Sequence, residues 1–199
     1  MNIKSALKYG YISLAKSTKI PHLEAEILLA KSMSSIREFI LSHSDEEIMM
    51  ATQKKYLSDI KKRNSGFPLA YLTGKKEFYG LEFFVNQNVL IPRPQTELII
   101  DEVINLTYNN DYKFSIIDVG TGSGCIIITL AKLLKQNNFY GIDISNKALR
   151  VARKNAKLNK VTNIKFLRGN LLQPFLNSKF KIQNSKLVII ANLPYLTVE

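Results

Sequence analysis

The stretch from Ile116 to Asp143 constrains this chain more than any other, because its apolar runs and glycines admit few local topologies. Ile116-Ile117-Asp118-Val119 is a short apolar run with one acid, the pattern of a buried strand. Gly120-Thr121-Gly122-Ser123-Gly124 follows directly, and the apolar stretch after Cys125 reads as a helix. A second apolar run, Phe139-Tyr140-Gly141-Ile142, ends in Asp143. Glycines at a strand-to-helix turn let the backbone approach a ligand where a Cβ would collide. An acid about 20 residues further on, at the tip of the next strand, is placed to hydrogen-bond a ribose diol. A glycine-rich turn alone says little. Joined to Asp143, it points to a nucleoside-bearing cofactor.

A second feature narrows the chemistry. Leu187-Val-Ile-Ile-Ala191 is another apolar strand and runs straight into Asn192-Leu193-Pro194-Tyr195. The Asn192 amide and the Leu193 carbonyl can each accept one hydrogen bond from an N–H2 group, and Pro194 fixes the turn without offering a donor. The Tyr195 ring gives a flat group a face to stack on. The bland alternative is an Asn-Pro turn that merely closes a strand. After a Gly-x-Gly-x-Gly turn and an acid-tipped strand, a site for a planar amine or amide is the better reading.

Residues 1–65 read as a small helical bundle, with Pro21 in a first helical turn and Ser44 to Glu47 as a capping box that starts a helix to about Arg63. Residues 66–90 read as a β-hairpin linker around Gly80. Residues 91–199 alternate strand and helix, which implies right-handed βαβ units and a parallel sheet. The expected fold is therefore α/β, a Rossmann-like sheet preceded by a helical bundle and a hairpin. Leu187 to Ala191 is apolar at every position and asks for cover on both faces, so the sheet is expected to be incomplete and the chain to lack its C-terminal part.

The lone cysteine, Cys125, excludes an intrachain disulfide and any cysteine cluster, and the two histidines, His22 and His43, give a metal site little to draw on; none is expected. No apolar run reaches membrane-spanning length. The formal net charge of +12 invites a nucleic-acid reading. Against it, lysine far outnumbers arginine, as an AT-rich coding bias produces, and Lys61-Lys62-Arg63 is the one compact basic run that stands out. Direct nucleic-acid binding is not expected.

Three blocks carry a family resemblance: Gly66-Phe-Pro-Leu-Ala-Tyr71 with Gly74-Lys-Lys-Glu-Phe78; Leu90-Ile-Pro-Arg-Pro-Gln-Thr-Glu97; and Asp118 to Gly124 with Asn192-Leu-Pro-Tyr195. The chain resembles the release-factor glutamine N5-methyltransferases over essentially its whole length. The resemblance implies S-adenosyl-L-methionine as cofactor and, as substrate, the glutamine of the Gly-Gly-Gln loop in peptide-chain release factors. It implies a cytoplasmic enzyme, monomeric if complete, whose N-terminal bundle recognises substrate. Cofactor residues would be Gly120, Thr121, Gly122, Ser123, Gly124, Asp143, Leu171 and Asn192; the catalytic turn would be Asn192, Leu193, Pro194 and Tyr195. Asp118 either reaches the cofactor through water or closes the turn, and Arg93 either shapes the entrance or bridges to Glu97. This chain has Asn170 where the family usually carries an acid, and Leu193 where proline is commoner. Leucine there also occurs in rRNA adenine dimethyltransferases, so an adenine methyltransferase acting on RNA or DNA stays open, as does an inactive remnant.

Overall fold

The computed structural model describes residues 1–108, 112–176 and 186–193. The chain divides into two compact units, Met1–Gly74 and Lys75–Glu199.

The first unit is helical: α1 (Ile3–Leu14), α2 (Pro21–Met33), α3 (Arg37–Ser42), α4 (Met50–Asn64) and α5 (Leu69–Thr73). Pro21 occupies the first turn of α2, where its missing N–H costs nothing. Ile3, Leu14, Leu28, Leu29, Ile40, Tyr56 and Ile60 form a common core. Gly10 faces the Tyr56 ring, and the buried Tyr56 hydroxyl donates to the Ala6 carbonyl at 3.2 Å. Two buried acids of α2 are paired: Arg63 donates to Glu24 from Nε and Nη2 at 2.6 and 3.0 Å, and Arg37 Nη2 reaches Glu26 at 2.6 Å.

Two expectations need correcting here. Ser44 to Glu47 does not start a helix; α4 begins at Met50 with no side-chain cap. The segment instead makes a turn at Ser44-Asp45 and a bridge from Glu47 to Asn2, tied to the chain's first residues, because Lys4 N–H donates to Ser44 O, Ile3 N–H to Glu46 O and Ile48 N–H to Met1 O, at 2.8–3.0 Å. Those tertiary bonds outweigh the local capping preference. Residues 69–73, placed by sequence in a linker, form α5; Leu72 enters the core of the first unit, and Gly74 closes the helix at φ +71°.

The second unit opens with an antiparallel hairpin, β1 (Lys75–Phe78) and β2 (Leu81–Phe84), turned at Tyr79-Gly80. A 3₁₀ turn at Pro94–Glu97 leads into α6 (Leu98–Thr107). Then come β3 (Phe114–Val119), α7 (Cys125–Leu133), β4 (Asn138–Asp143), α8 (Asn146–Leu158), β5 (Ile164–Arg168), the one-turn α9 (Gln173–Leu176) and β6 (Lys186–Ala191). The sheet is parallel with order β5-β4-β3-β6. Every residue of β3 is buried: Ile116 packs with Ile100, Ile127 and Leu130, while Ile117 and Val119 belong to a second cluster with Leu172 and Phe175. Ile116, Ile127, Ile128, Leu130 and Phe139 pack with Phe78 and Phe83 of the hairpin in one core.

Leu187–Ala191 was expected to ask for cover on both faces, and among the described residues only one face has it. Burial alternates along β6: Val188 and Ile190 are buried, while Leu187 and Ile189 are 49% and 46% exposed. The strand lies beside β3 at one side of the four-stranded order, and the face carrying Val188 and Ile190 is the one that meets the core.

Candidate functional site

The register of the sheet assembles the site. Val119 pairs with Ile142 of β4 on one side and with Ala191 of β6 on the other. Gly120 and Asn192, which follow β3 and β6, and Asp143, the last residue of β4, therefore stand together at the same carboxyl edge. The chain runs from β3 outward through β4 to β5 and then returns to the opposite side of β3, so strand order reverses there. Open α/β sheets bind ligands in the crevice at such a reversal.

The turn after β3 requires its glycines. Gly120, Gly122 and Gly124 take φ values of +72°, +55° and +79°, a region costly for residues with a Cβ. A Cβ on Gly120 would overlap Leu193 Cδ2, and one on Gly124 would meet Ile128 Cδ1 at 2.8 Å and Ala152 Cβ at 3.2 Å. Thr121 is buried; its N–H donates to Ile142 O at 2.8 Å and its hydroxyl to Asp118 Oδ2 at 2.6 Å. Ser123 is also buried, and its carbonyl accepts from Asn155 Nδ2 at 2.8 Å.

Asp143 is gripped on both oxygens. Gly122 N–H donates to Oδ2 at 2.9 Å and Ser145 N–H to Oδ1 at 2.8 Å. A carboxylate has about four lone-pair sites, so two remain for a ligand. Asp118 behaves differently. It is 1% exposed, and burial pushes its carboxyl up to about 7, opposed by the Thr121 hydroxyl and reinforced by the charge of Asp143. Its bond to Thr121 makes it the acid that closes the turn. Burial pushes the Cys125 thiol up to about 12, which leaves it unreactive.

Two cavities flank the glycine turn. One, of about 360 Å³, is lined by Gly120, Gly122, Asp143, Asn170, Leu171 and Leu193 among others. Leu171 reaches it from a strained φ of +47° and is 54% exposed. The other, of about 290 Å³, is lined by Ile91, Arg93, Thr96, Ser123, Cys125 and Asn192 among others. Gly120, Gly122, Asn192 and Leu193 line both, so a ligand lying across the turn touches all four. Asn192 Nδ2 donates to Thr96 Oγ1 at 3.3 Å, which leaves Oδ1 as the atom that can accept. Pro194 and Tyr195 lie outside the described residues. Arg93 is exposed on the second cavity and forms no ion pair with Glu97 among the described residues; Glu97 instead accepts the Tyr79 N–H at 2.8 Å.

Sequence reasoning therefore named residues that the fold brings together, and missed two that hold them. Thr96 orients Asn192 from the Leu90–Glu97 block. Asn155 on α8 is fully buried; its Oδ1 accepts the Phe84 N–H at 2.7 Å, while Nδ2 donates to Phe84 O at 2.9 Å as well as to Ser123 O. The available signal was an asparagine among Val151, Ala152 and Ala156 on the buried side of α8. A polar residue there must be satisfied by something nearby.

Among the described residues no helix is long and apolar enough to cross a membrane. Residues 5–74 match a sequence family described as the PrmC N-terminal domain, and residues 110–197 match one described as a methyltransferase domain. A solved structure titled human methyltransferase 10 domain containing protein superposes with a TM-score of 0.50 at 24% identity, covering 59% of this chain and 56% of that one, and shares the fold. The release factor glutamine methyltransferase of Koribacter versatilis is 41% identical over 157 residues, 78% of this chain and 56% of that protein. That of Bacillus anthracis is 35% identical over 201 residues, covering 100% of this chain and 69% of the relative. The chain thus spans between 56% and 69% of the length of these two relatives, and with its glycine turn, acid-tipped β4 and Asn192 turn it belongs to the release factor glutamine methyltransferase family.

Proposed function

We propose that this chain transfers a methyl group to the side-chain amide nitrogen of the glutamine in the Gly-Gly-Gln loop of a peptide-chain release factor. The observation that carries the reading is Asn192: at the tip of β6, its amide is turned by Thr96 so that Oδ1 is left to accept, beside the glycine turn of β3.

S-adenosyl-L-methionine would supply the methyl group on a positively charged sulfur. The residues present fit it. Gly120, Gly122 and Gly124 offer a backbone that a Cβ would fill, and Asp143 keeps acceptor sites for a ribose diol. Thr121 and Ser123 would hold the turn in shape, and Leu171 would pack on the adenine face. Asn170 in place of an acid would leave the exocyclic amine of adenine with a weaker partner.

An amide nitrogen is a poor nucleophile because its lone pair is delocalised into the carbonyl. Asn192 Oδ1 and the Leu193 carbonyl would each hold one N–H of the substrate amide. Both acceptors stabilise charge developing on that N–H2, an electrostatic contribution that needs no strong base. They also aim the nitrogen lone pair, which is the larger part of a transfer between two positioned groups. Pro194 would stiffen the turn and Tyr195 would stack on the amide plane. Residues 1–65 would recognise the release factor, and residues 91–199 would carry the chemistry of a monomeric, cytoplasmic enzyme.

The test is methylation by this chain with methyl-labelled cofactor. Label is expected in a release factor with an intact Gly-Gly-Gln loop and absent from one whose glutamine is replaced. Label in RNA or DNA, or no label in any acceptor, would overturn the proposal. Asn192→Ala should lower turnover far more than cofactor affinity, since its acceptor matters most as charge develops.

A further inference from the structure

The charge of this chain is not evenly distributed. Between Asp143 and Glu199 the sequence holds eleven Lys or Arg and no Asp or Glu. Singling out Lys61-Lys62-Arg63 as the one compact basic run overlooked this, because these residues are separated by apolar ones that the fold turns inward. On α8, Leu149, Val151, Ala152, Asn155 and Ala156 are buried. The side left to solvent carries Lys147, Arg150, Arg153, Lys154 and Lys157, with Asn146 and Leu158 the other exposed positions. None of these five cations pairs with a carboxylate among the described residues. Their positions are fixed by other means: Arg153 donates to the Phe166 carbonyl at 3.2 Å, and Lys154 sits 3.2 Å above the centroid of the Phe84 ring. Beside them, Lys147, Arg150 and Lys154 line a polar cleft of about 360 Å³ with Phe84, Asn86 and Asn88.

From this face we infer that α8 is a docking surface for the phosphodiester backbone of RNA, separate from the methyl-transfer site and independent of its substrate. Lys147, Arg150, Lys154 and Lys157 follow one another at three- and four-residue steps along one side of the helix, a row of roughly 15 Å at 1.5 Å per residue. A nucleic-acid duplex carries one negative charge per about 1.7 Å of axis, so a row of this length faces several phosphates at once. The composition of the face selects this partner over an acidic protein. Protein interfaces rely on buried aromatic or aliphatic anchors and are depleted in lysine. Here the exposed apolar group is Leu158 alone, and charges of one sign are uninterrupted. Phosphate contacts need cations and hydrogen-bond donors, which Arg150, Lys154 and the Asn86 and Asn88 amides supply, and they need no base-reading groups.

The experiment is fluorescence anisotropy of the full chain with a labelled hairpin RNA, read across a salt series. The R150Q/K154Q/K157Q triple variant should weaken binding about tenfold or more and flatten the slope of log affinity against log salt by about 2 to 3, the contribution of three phosphate contacts. A control triple with the same loss of charge on α4, K54Q/K55Q/K61Q, should leave both quantities within about twofold of the parent. Circular dichroism melts of each variant confirm that the fold is kept. Equal losses in the two triples would reduce the effect to net charge and overturn the inference. So would polyglutamate binding as tightly as RNA, which would assign the face to an acidic protein, or no RNA binding at 50 mM salt.

Discussion

Replacing Asn155 by alanine should destabilise the second unit severely, although the residue touches neither cavity. Its side chain makes three hydrogen bonds at 2.7–2.9 Å, to the N–H and carbonyl of Phe84 and to the carbonyl of Ser123, and is 0% exposed. Removing it leaves three backbone groups without those partners. Each buried unsatisfied group costs about 1–3 kcal/mol, and Phe84 is only half-buried, so water can relieve part of the loss there. The expected penalty is about 3–5 kcal/mol, which lowers Tm by roughly 6–20 °C for a chain of this size. Thermal denaturation followed by circular dichroism measures it. Cofactor affinity should fall alongside, because Ser123 O anchors the glycine turn to α8. Asn155→Asp keeps the acceptor for Phe84 N–H but loses both donors, and should be at least as destabilising. A melting temperature within 2 °C of the parent in Asn155→Ala would refute the argument that this amide fastens the hairpin to the turn.

Further outcomes follow from the same geometry. Gly120→Ala places a Cβ against Leu193 at a φ of +72°, and should weaken cofactor binding by about tenfold or more in calorimetry; unchanged affinity would show that Leu193 gives way freely. Asp143→Ala removes the acceptors at the tip of β4 and should weaken cofactor binding by about 1.5–3 kcal/mol, the scale of hydrogen bonds to a charged group. Asp118 has its folded pKa raised from 3.8 to about 7, so the folded state holds a proton that the unfolded chain has lost. The parent should therefore lose stability as pH rises from about 4 to 7 and level off above, whereas Asp118→Asn should lack that component. Denaturant titrations at pH 5 and 8 on both proteins read the difference; parallel curves would mean that Asp118 is ionised throughout.

How far the sequence could be read depended on whether its signals were local. The βαβ order, the glycine turn and Asp143 were legible because period, glycine placement and spacing all lie within Ile116–Asp143. Pro21 marked its helix for the same reason. The capping pattern at Ser44–Glu47 misled because its backbone is claimed by Met1–Lys4, some 40 residues away in sequence. The uniform apolarity of β6 asked for cover on both faces, but a residue string does not say which face the described residues cover; Val188 and Ile190 have it, and Leu187 and Ile189 do not. Thr96 was visible within the Leu90–Glu97 block, but its bond to Asn192 spans 96 positions and has no sequence signature. The basic face of α8 escaped because helical winding, not adjacency, brings its cations together.

The placement of β6 beside β3 also orders events in time. When a ribosome has released the chain as far as Leu176, β3, β4 and β5 are all present, and with them the glycine turn and Asp143. Asn192 and Leu193 do not yet exist. On the proposed reading, a nascent chain at that stage would own most of the contacts for a nucleoside and none of the acceptors for a substrate amide. Because β6 must find β3 across more than 60 intervening residues, its insertion is a long loop closure and a slow step relative to the local β3–α7–β4 pairing. Ligand held early by the glycine turn and Asp143 would stabilise the very strand that β6 must pair with, so cofactor present during synthesis should favour the β3–α7–β4 unit to which β6 is added.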